Sequence, residues 1–289
     1  MSISTVRPIL LATAFALAGC GGGGGVPGSA SSLPPPTTPA PSQPAAIIAT
    51  STSQQFAAVG ASHSNADYPT PLLGAGEQLQ VRYVQSSNSY EIQVPNSQSW
   101  SAISLTSTGP GNFPLTFGTP GGGAVLWLSS GSRQYSRMFE WNTGDKVGYE
   151  AIGMATPSSG VPLTGSASYS GDILGVTTEY QPDLADDFPV NGGISLSFNF
   201  GLGSLSGSIS PNLHQGYVLG TLNFVNTVYS TGSTAFSGKF DTNVPGVNSF
   251  SGLFTGPNAQ ELIGNFAFPY QSPIDGKTYQ ADGAFVGGK

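Results

Sequence analysis

From Phe250 to Phe268 apolar and polar residues alternate on both sides of Pro257-Asn258-Ala259. The alternation predicts two short antiparallel strands folded about Asn258, with Phe250 opposite Phe266, Gly252 opposite Gly264 and Phe254 opposite Leu262. One face then carries the large apolar groups. The other carries Ser249, Ser251, Thr255, Glu261 and Asn265, broken by Leu253, Ile263 and Ala267. Glycines facing each other inside strands weaken the pair unless the sheet bends sharply or another backbone comes close, so the pattern reads as barrel wall.

The same signal recurs from Val161 to the C-terminus, over 163–171, 174–180, 193–200, 203–210, 216–228, 233–240, 248–256, 259–268 and 277–286. These segments predict an all-β fold in which eight strands, or nine if each stands alone, close a small antiparallel barrel. An aromatic-Ser-Gly triplet recurs as Tyr169-Ser-Gly171, Phe236-Ser-Gly238 and Phe250-Ser-Gly252, with Leu205-Ser-Gly207 as a variant. Its unequal intervals mark a wall device and not a solenoid repeat. Upstream, strand patches at 79–84, 90–94, 124–128, 138–141 and 147–152 are fewer and less regular, which predicts a smaller β domain before the barrel.

Composition supports this picture. Glycine makes up 41 of 289 residues, and charged residues only 8%, with 15 acidic against 8 basic side chains. An acidic chain with scattered Lys and Arg cannot neutralise a run of phosphates, so nucleic acid is not an expected partner.

The N-terminus carries an export signal: Arg7, an apolar run from Ile9 to Ala18, then Leu17-Ala18-Gly19-Cys20. The run is too short to span a bilayer, and small residues precede the cysteine where a peptidase cuts. Leu-Ala-Gly-Cys resembles the bacterial lipobox, which implies cleavage before Cys20 and acylation of that residue, the only cysteine in the chain. Gly21 replaces the aspartate that resembles an inner-membrane retention signal, which favours the outer membrane. From Gly21 to about Ser53 the chain is rich in Gly, Pro, Ser and Thr and has no charge, the composition of a disordered tether.

Further motifs carry a family likeness. Pro162-Leu-Thr-Gly165-Ser-Ala167-Ser-Tyr169-Ser-Gly171, Ile194-Ser-Leu196-Ser-Phe198-Asn-Phe200-Gly, Phe254-Thr-Gly256-Pro-Asn-Ala259-Gln-Glu261-Leu-Ile-Gly264-Asn-Phe266 and the ending Gly283-Ala-Phe285-Val-Gly-Gly-Lys289 resemble the β-barrel domain of transferrin-binding protein B and related surface lipoproteins. The stretch from Tyr135 to Trp141 and on to Pro157 is similar to the end of that family's handle domain. With the signal peptide at 1–19 and the tether at 20–53, the resemblance implies a handle-like domain at 54–155 and an eight-stranded barrel at 156–289. It further implies a lipid-anchored protein of the outer membrane, displayed on the cell surface, that captures an extracellular protein or nutrient carrier in iron or haem acquisition. The transferrin receptors have two such lobes and this chain has room for one, which points to single-lobe relatives with varied partners.

Catalytic chemistry is not legible. His63 and His214 are the only histidines, and Gly-x-Ser-x-Gly, His-Glu-x-x-His and paired cysteines are all missing from the sequence. Gly201-Leu-Gly203-Ser-Leu-Ser-Gly207 leads into an alternating strand where a nucleotide loop needs a helix. Asp183, Asp186, Asp187 and Asn191 gather oxygen ligands that suit Ca²⁺, but their spacing matches no calcium loop and reads as a solvated acidic loop. No enzyme, cofactor or metal is expected. Trp100, Trp127, Trp141 and Tyr135, the aromatics singled out before the barrel, are divided between core and partner contact. The alternative reading is a structural or adhesion lipoprotein of the envelope with no captured nutrient.

Overall fold

Period-two alternation becomes antiparallel strand almost everywhere in the computed structural model, which describes residues 47–48, 50–64, 78–108, 115–119, 122–127, 133–142, 146–179, 189–213 and 217–289. All fall in the compact unit Gln43–Lys289. In chain order the strands are β1 (Gln54–Gln55), β2 (Ala57–Ser64), β3 (Gln80–Val84), β4 (Ser89–Gln93), β5 (Ser101–Ala102), β6 (Ser104–Thr108), β7 (Leu115–Thr119), β8 (Gly122–Trp127), β9 (Ser136–Asn142) and β10 (Lys146–Gly153). There follow β11 (Ser166–Thr177), β12 (Pro189–Asn199), β13 (Ser204–Asn212), β14 (Leu222–Val228), β15 (Ala235–Phe240), β16 (Ser249–Thr255), β17 (Glu261–Gln271) and β18 (Thr278–Gly288). Strands β11 to β18 close a barrel in sequence order, β1-β3-β4-β5 form a small sheet, and β2-β10-β9-β8-β7-β6 form a larger one.

The barrel is closed by eight strands and not nine, because 163–171 and 174–180 are parts of the single strand β11. Gly171 interrupts the apolar pattern without turning the chain: it pairs with Gly287 on β18, where a Cβ would run into the Val286 carbonyl. That glycine serves close backbone approach. Five upstream strands, β1, β2, β5, β6 and β7, have no counterpart among the sequence patches. Ile47 and Ile48, inside the stretch read as tether, are buried.

The hairpin of β16 and β17 has the register expected from its alternation, with Phe250 against Phe266, Gly252 against Gly264 and Phe254 against Leu262. Its aromatic-Ser-Gly triplet interlocks with that of β15. Phe236 lies opposite Gly252, and Gly238 opposite Phe250, so each ring rests where its neighbour has no side chain. Phe285 covers Gly264 and Phe224 covers Gly207 in the same way. The rings then fill the lumen: Phe198 has its centroid 4.8 Å from Phe254 and 5.1 Å from both Tyr229 and Phe236, and Phe224 lies 4.2 Å from Phe250. Edge and tilted contacts of this kind add about 0.5–1.5 kcal/mol each beyond area burial. Thr177, Glu179, Tyr270 and Ser272 close one end, the Glu179 carboxylate accepting from Tyr270 Oη at 2.7 Å and Ser272 Oγ at 2.6 Å.

A separate core lies between the two upstream sheets. Ile48, Phe56, Val81, Tyr90 and Ile92 meet Phe139, Trp141 and Ile152 of the larger sheet. Trp141 lies over Gly148 on the next strand and donates its indole N–H to Glu150 Oε2 at 2.7 Å, which also accepts the Leu79 amide at 3.0 Å. Glu150 is buried, and desolvation raises its pKa well above the usual carboxylate range despite those two donors.

Two outcomes follow. Adding a Cβ at Gly252 or Gly264 drives it into Phe236 or Phe285 and a facing carbonyl, so Gly252→Val and Gly264→Val should each cost about 1–3 kcal/mol in urea denaturation. Ser251→Val, exposed on the opposite face, should stay within about 0.5 kcal/mol. For Glu150 the folded chain holds its proton to higher pH than the unfolded chain, so stability falls as pH rises above about 4–5, the ordinary glutamate range. Glu150→Gln, which still accepts from Trp141, should flatten that fall; an unchanged pH profile would mean that Glu150 is ionised in the fold.

Candidate functional site

The β16–β17 hairpin is also where the two upstream sheets, called the handle below, meet the barrel. At its tip, Gly256 (φ +82°) and Ala259 (φ +52°) turn the chain, and the buried Tyr169 hydroxyl donates to the Ala259 carbonyl at 2.6 Å. Burial raises the Tyr169 pKa, which keeps that donor protonated. The segment leaving β10 runs along the hairpin: the Gly256 amide donates to Met154 O at 2.8 Å, the Thr156 amide to Phe254 O at 2.9 Å, and Thr156 Oγ1 to Gly256 O at 2.7 Å. The buried Glu261 carboxylate accepts the Gln134 amide at 2.6 Å, the Tyr135 amide at 3.1 Å and Ser136 Oγ at 2.6 Å. Beside it Arg133 pairs with Asp172 of β11 at 3.5 Å.

The outward face of the hairpin is not uniformly solvated. Met138 and Ala151 of the handle sheet pack on Ile263, Ala284 and Val286 of the barrel wall, with Ala57, Val59, Leu174 and Leu253 around them. The outward row Ala235, Leu253, Ile263, Val286 is in register across β15 to β18. Along it burial is graded: Ala235 is exposed, Leu253 half-buried, and Ile263 and Val286 both 0% exposed. The gradient marks where the handle sheet ends, at β2.

Just past that border lies a cleft of about 460 Å³, walled by Val59 on one side and by Val228, Ala235, Ser237, Ser251 and Leu253 on the other. Phe236 and Gly252 form its floor. No lining residue is charged. Ser251 Oγ is held to Asn265 Oδ1 at 2.6 Å, and Val228 stands 63% exposed at the rim. A volume in this range is ordinary for a binding cleft, and an uncharged apolar lining suits apolar side chains of a partner. A second surface feature lies on the small sheet. Arg82 stacks 4.1 Å over the Trp100 ring while its guanidinium pairs with Glu91, and Trp and Arg are residue types enriched at interface hot spots.

Of the aromatics noted before the barrel, Trp141 is core, Tyr135 is half-buried against Gly256, Trp100 is half-buried beneath Arg82, and Trp127 lies on β8 with its side chain outside what is described. His63 lies on β2. Cys20, His214, Asp183, Asp186 and Asp187 lie outside the described residues, and Asn191 is exposed on β12 of the barrel. Among the described residues no three His, Cys, Asp or Glu side chains gather as metal ligands would. The cleft had no sequence signal, because Val228 and Leu253 look like ordinary strand residues. Glu261→Ala should strand three handle donors and cost about 2–4 kcal/mol in denaturant unfolding, whereas Ser249→Ala on the same face should be nearly silent.

No family model matches the chain. A curated relative, "Transferrin-binding protein B" of Haemophilus influenzae (strain 86-028NP), is 29% identical over 139 residues, 42% of this chain and 21% of the relative. The solved structures that align include a double mutant of the vaccine antigen Transferrin Binding Protein B from Haemophilus parasuis Hp5, with TM-score 0.46 and 15% identity over 80% of this chain and 44% of that one. Another is isotype 1 of the same protein from serogroup B Neisseria meningitidis, with TM-score 0.46 and 15% identity over 80% and 43%. The chain thus spans about a fifth of the length of the curated relative and under half of the solved ones. Over 139 residues this chain is similar in sequence to transferrin-binding protein B.

Proposed function

We propose that this protein is a surface lipoprotein of the outer membrane that holds a partner protein against the handle and the outer wall of its barrel. The observation that carries the proposal is the sequence likeness to transferrin-binding protein B. Packing supports it: with the lumen filled by Phe198, Phe254, Phe250 and their neighbours, a ligand is met on the outside of the wall, where the contact area suits a protein. In this reading residues 54–155 are the handle and 156–289 the barrel, the role is binding and not catalysis, and the captured protein is a carrier of iron or haem. Cys20 bears the lipid, at about 0.8 kcal/mol per buried CH₂ of each acyl chain, and residues from Gly21 onward hold the folded part off the membrane.

The test combines display and capture. Intact cells expressing the full chain are shaved with protease, and the detergent-extracted protein is offered transferrin, haemoglobin and albumin-bound haem. Loss of the protein on shaving, release of a Cys20→Ser variant from membranes and retention of one carrier support the proposal. Protection from protease with no carrier retained would overturn it, and membrane retention of Cys20→Ser would overturn the lipid anchor.

A further inference from the structure

The handle sheets have four edges, and three of them are blunted. In the small sheet the edge strands β1 and β5 are two residues long. In the larger sheet β6 is interrupted by a register shift between Leu105 and Ser107. Short strands and bulges are how sheets keep their edges from pairing with other chains. The fourth edge is different. Strand β2, Ala57-Ala-Val-Gly-Ala-Ser-His-Ser64, is eight residues long, carries no Lys, Arg, Asp, Glu or Pro, and pairs in unbroken register with β10. Among the described residues it has no neighbour on its other side.

That side faces the cleft. Adjacent strands lie about 4.8 Å apart and stacked sheets about 10 Å apart, so a strand added beside β2 would lie over β15 and β16. Beneath it would be Ala235, Ser237, Ser251 and Leu253, with Val228 at the rim. The handle sheet already covers Ile263 and Val286 in the same row, half covers Leu253 and stops short of Ala235. We infer that β2 and the cleft receive an extended segment of a partner protein, which joins the handle sheet as a further strand. Its backbone pairs with β2. Its alternate side chains, apolar and of Val to Leu size, fill the uncharged cleft above the small residues of the wall. Because the barrel wall continues past β2, a bare strand fits the slot, whereas a second copy would bring its own wall into the same space. The inference rests on the partner-binding reading and specifies its mode, strand addition.

The probe is a phage-displayed library of linear dodecapeptides panned on the full-length protein, with enriched sequences synthesised and their binding followed by fluorescence anisotropy. Enriched peptides should be apolar and uncharged at every second position. Val228→Lys and Ser237→Lys, both at accessible positions, should each weaken binding by about tenfold or more. Val247→Lys, in the exposed loop at the opposite end of the barrel, should not. N-methylation of alternate backbone amides in the peptide should abolish binding, which a purely side-chain contact would not require. Failure to enrich any peptide, full binding to Val228→Lys and Ser237→Lys, or indifference to N-methylation would overturn the inference. Dimers in sedimentation, or slow hydrogen exchange of the β2 edge amides in the free monomer, would overturn it too by giving that edge to a second copy or to the chain itself. A carrier protein still captured by both variants would leave the partner-binding reading standing and remove only strand addition at β2.

Discussion

The two-faced burial of the β16–β17 hairpin is the constraint on which the other features depend. Its inner face must accept the rings of neighbouring strands, which is possible because Gly252 and Gly264 leave space for Phe236 and Phe285. Its outer face must accept the handle, which is possible because Ile263 presents an apolar group and Glu261 an acceptor to the segment before β9. A strand pair free on one side could tolerate polar substitution there. This pair cannot at either position.

The layered arrangement explains the composition of the handle. A sheet trapped between two others needs side chains on both faces, and the larger handle sheet alternates accordingly: Phe139 and Ile152 point toward the small sheet, while Met138 and Ala151 point toward the barrel. Small residues on the barrel side bring the two backbones close. The same closeness limits how far the sheet extends, and its end at β2 leaves Leu253 half-covered and the cleft open.

Much of the barrel was legible in the sequence, because closure places one face of every strand in a single lumen and so imposes alternation along the whole segment. The hairpin register could be read to the residue from Phe250, Phe254, Leu262 and Phe266. What could not be read were features set by contacts distant in the chain. Ile263, Ala284 and Val286 look like interruptions of a solvent face until the handle is placed over them. Strand β2 was invisible because it is mostly Ala, Gly and Ser, which carry no periodic signal; Gly60 is set against the backbone of β10, its neighbour in the same sheet. Gly171 was taken for a boundary, since a glycine chosen for close approach and one chosen for a turn are the same letter. The stacked pair of Arg82 and Trp100 had one visible member, Trp100, and its partner depends on β3 and β5 lying on either side of β4.

If the hairpin binds barrel and handle into one structure, neither can melt without exposing the other's buried face. Differential scanning calorimetry of the full chain measures this directly. The account predicts one transition whose calorimetric enthalpy equals its van't Hoff enthalpy, as for a single cooperative unit. Two resolved transitions, with the handle melting while the barrel remains folded, would contradict it.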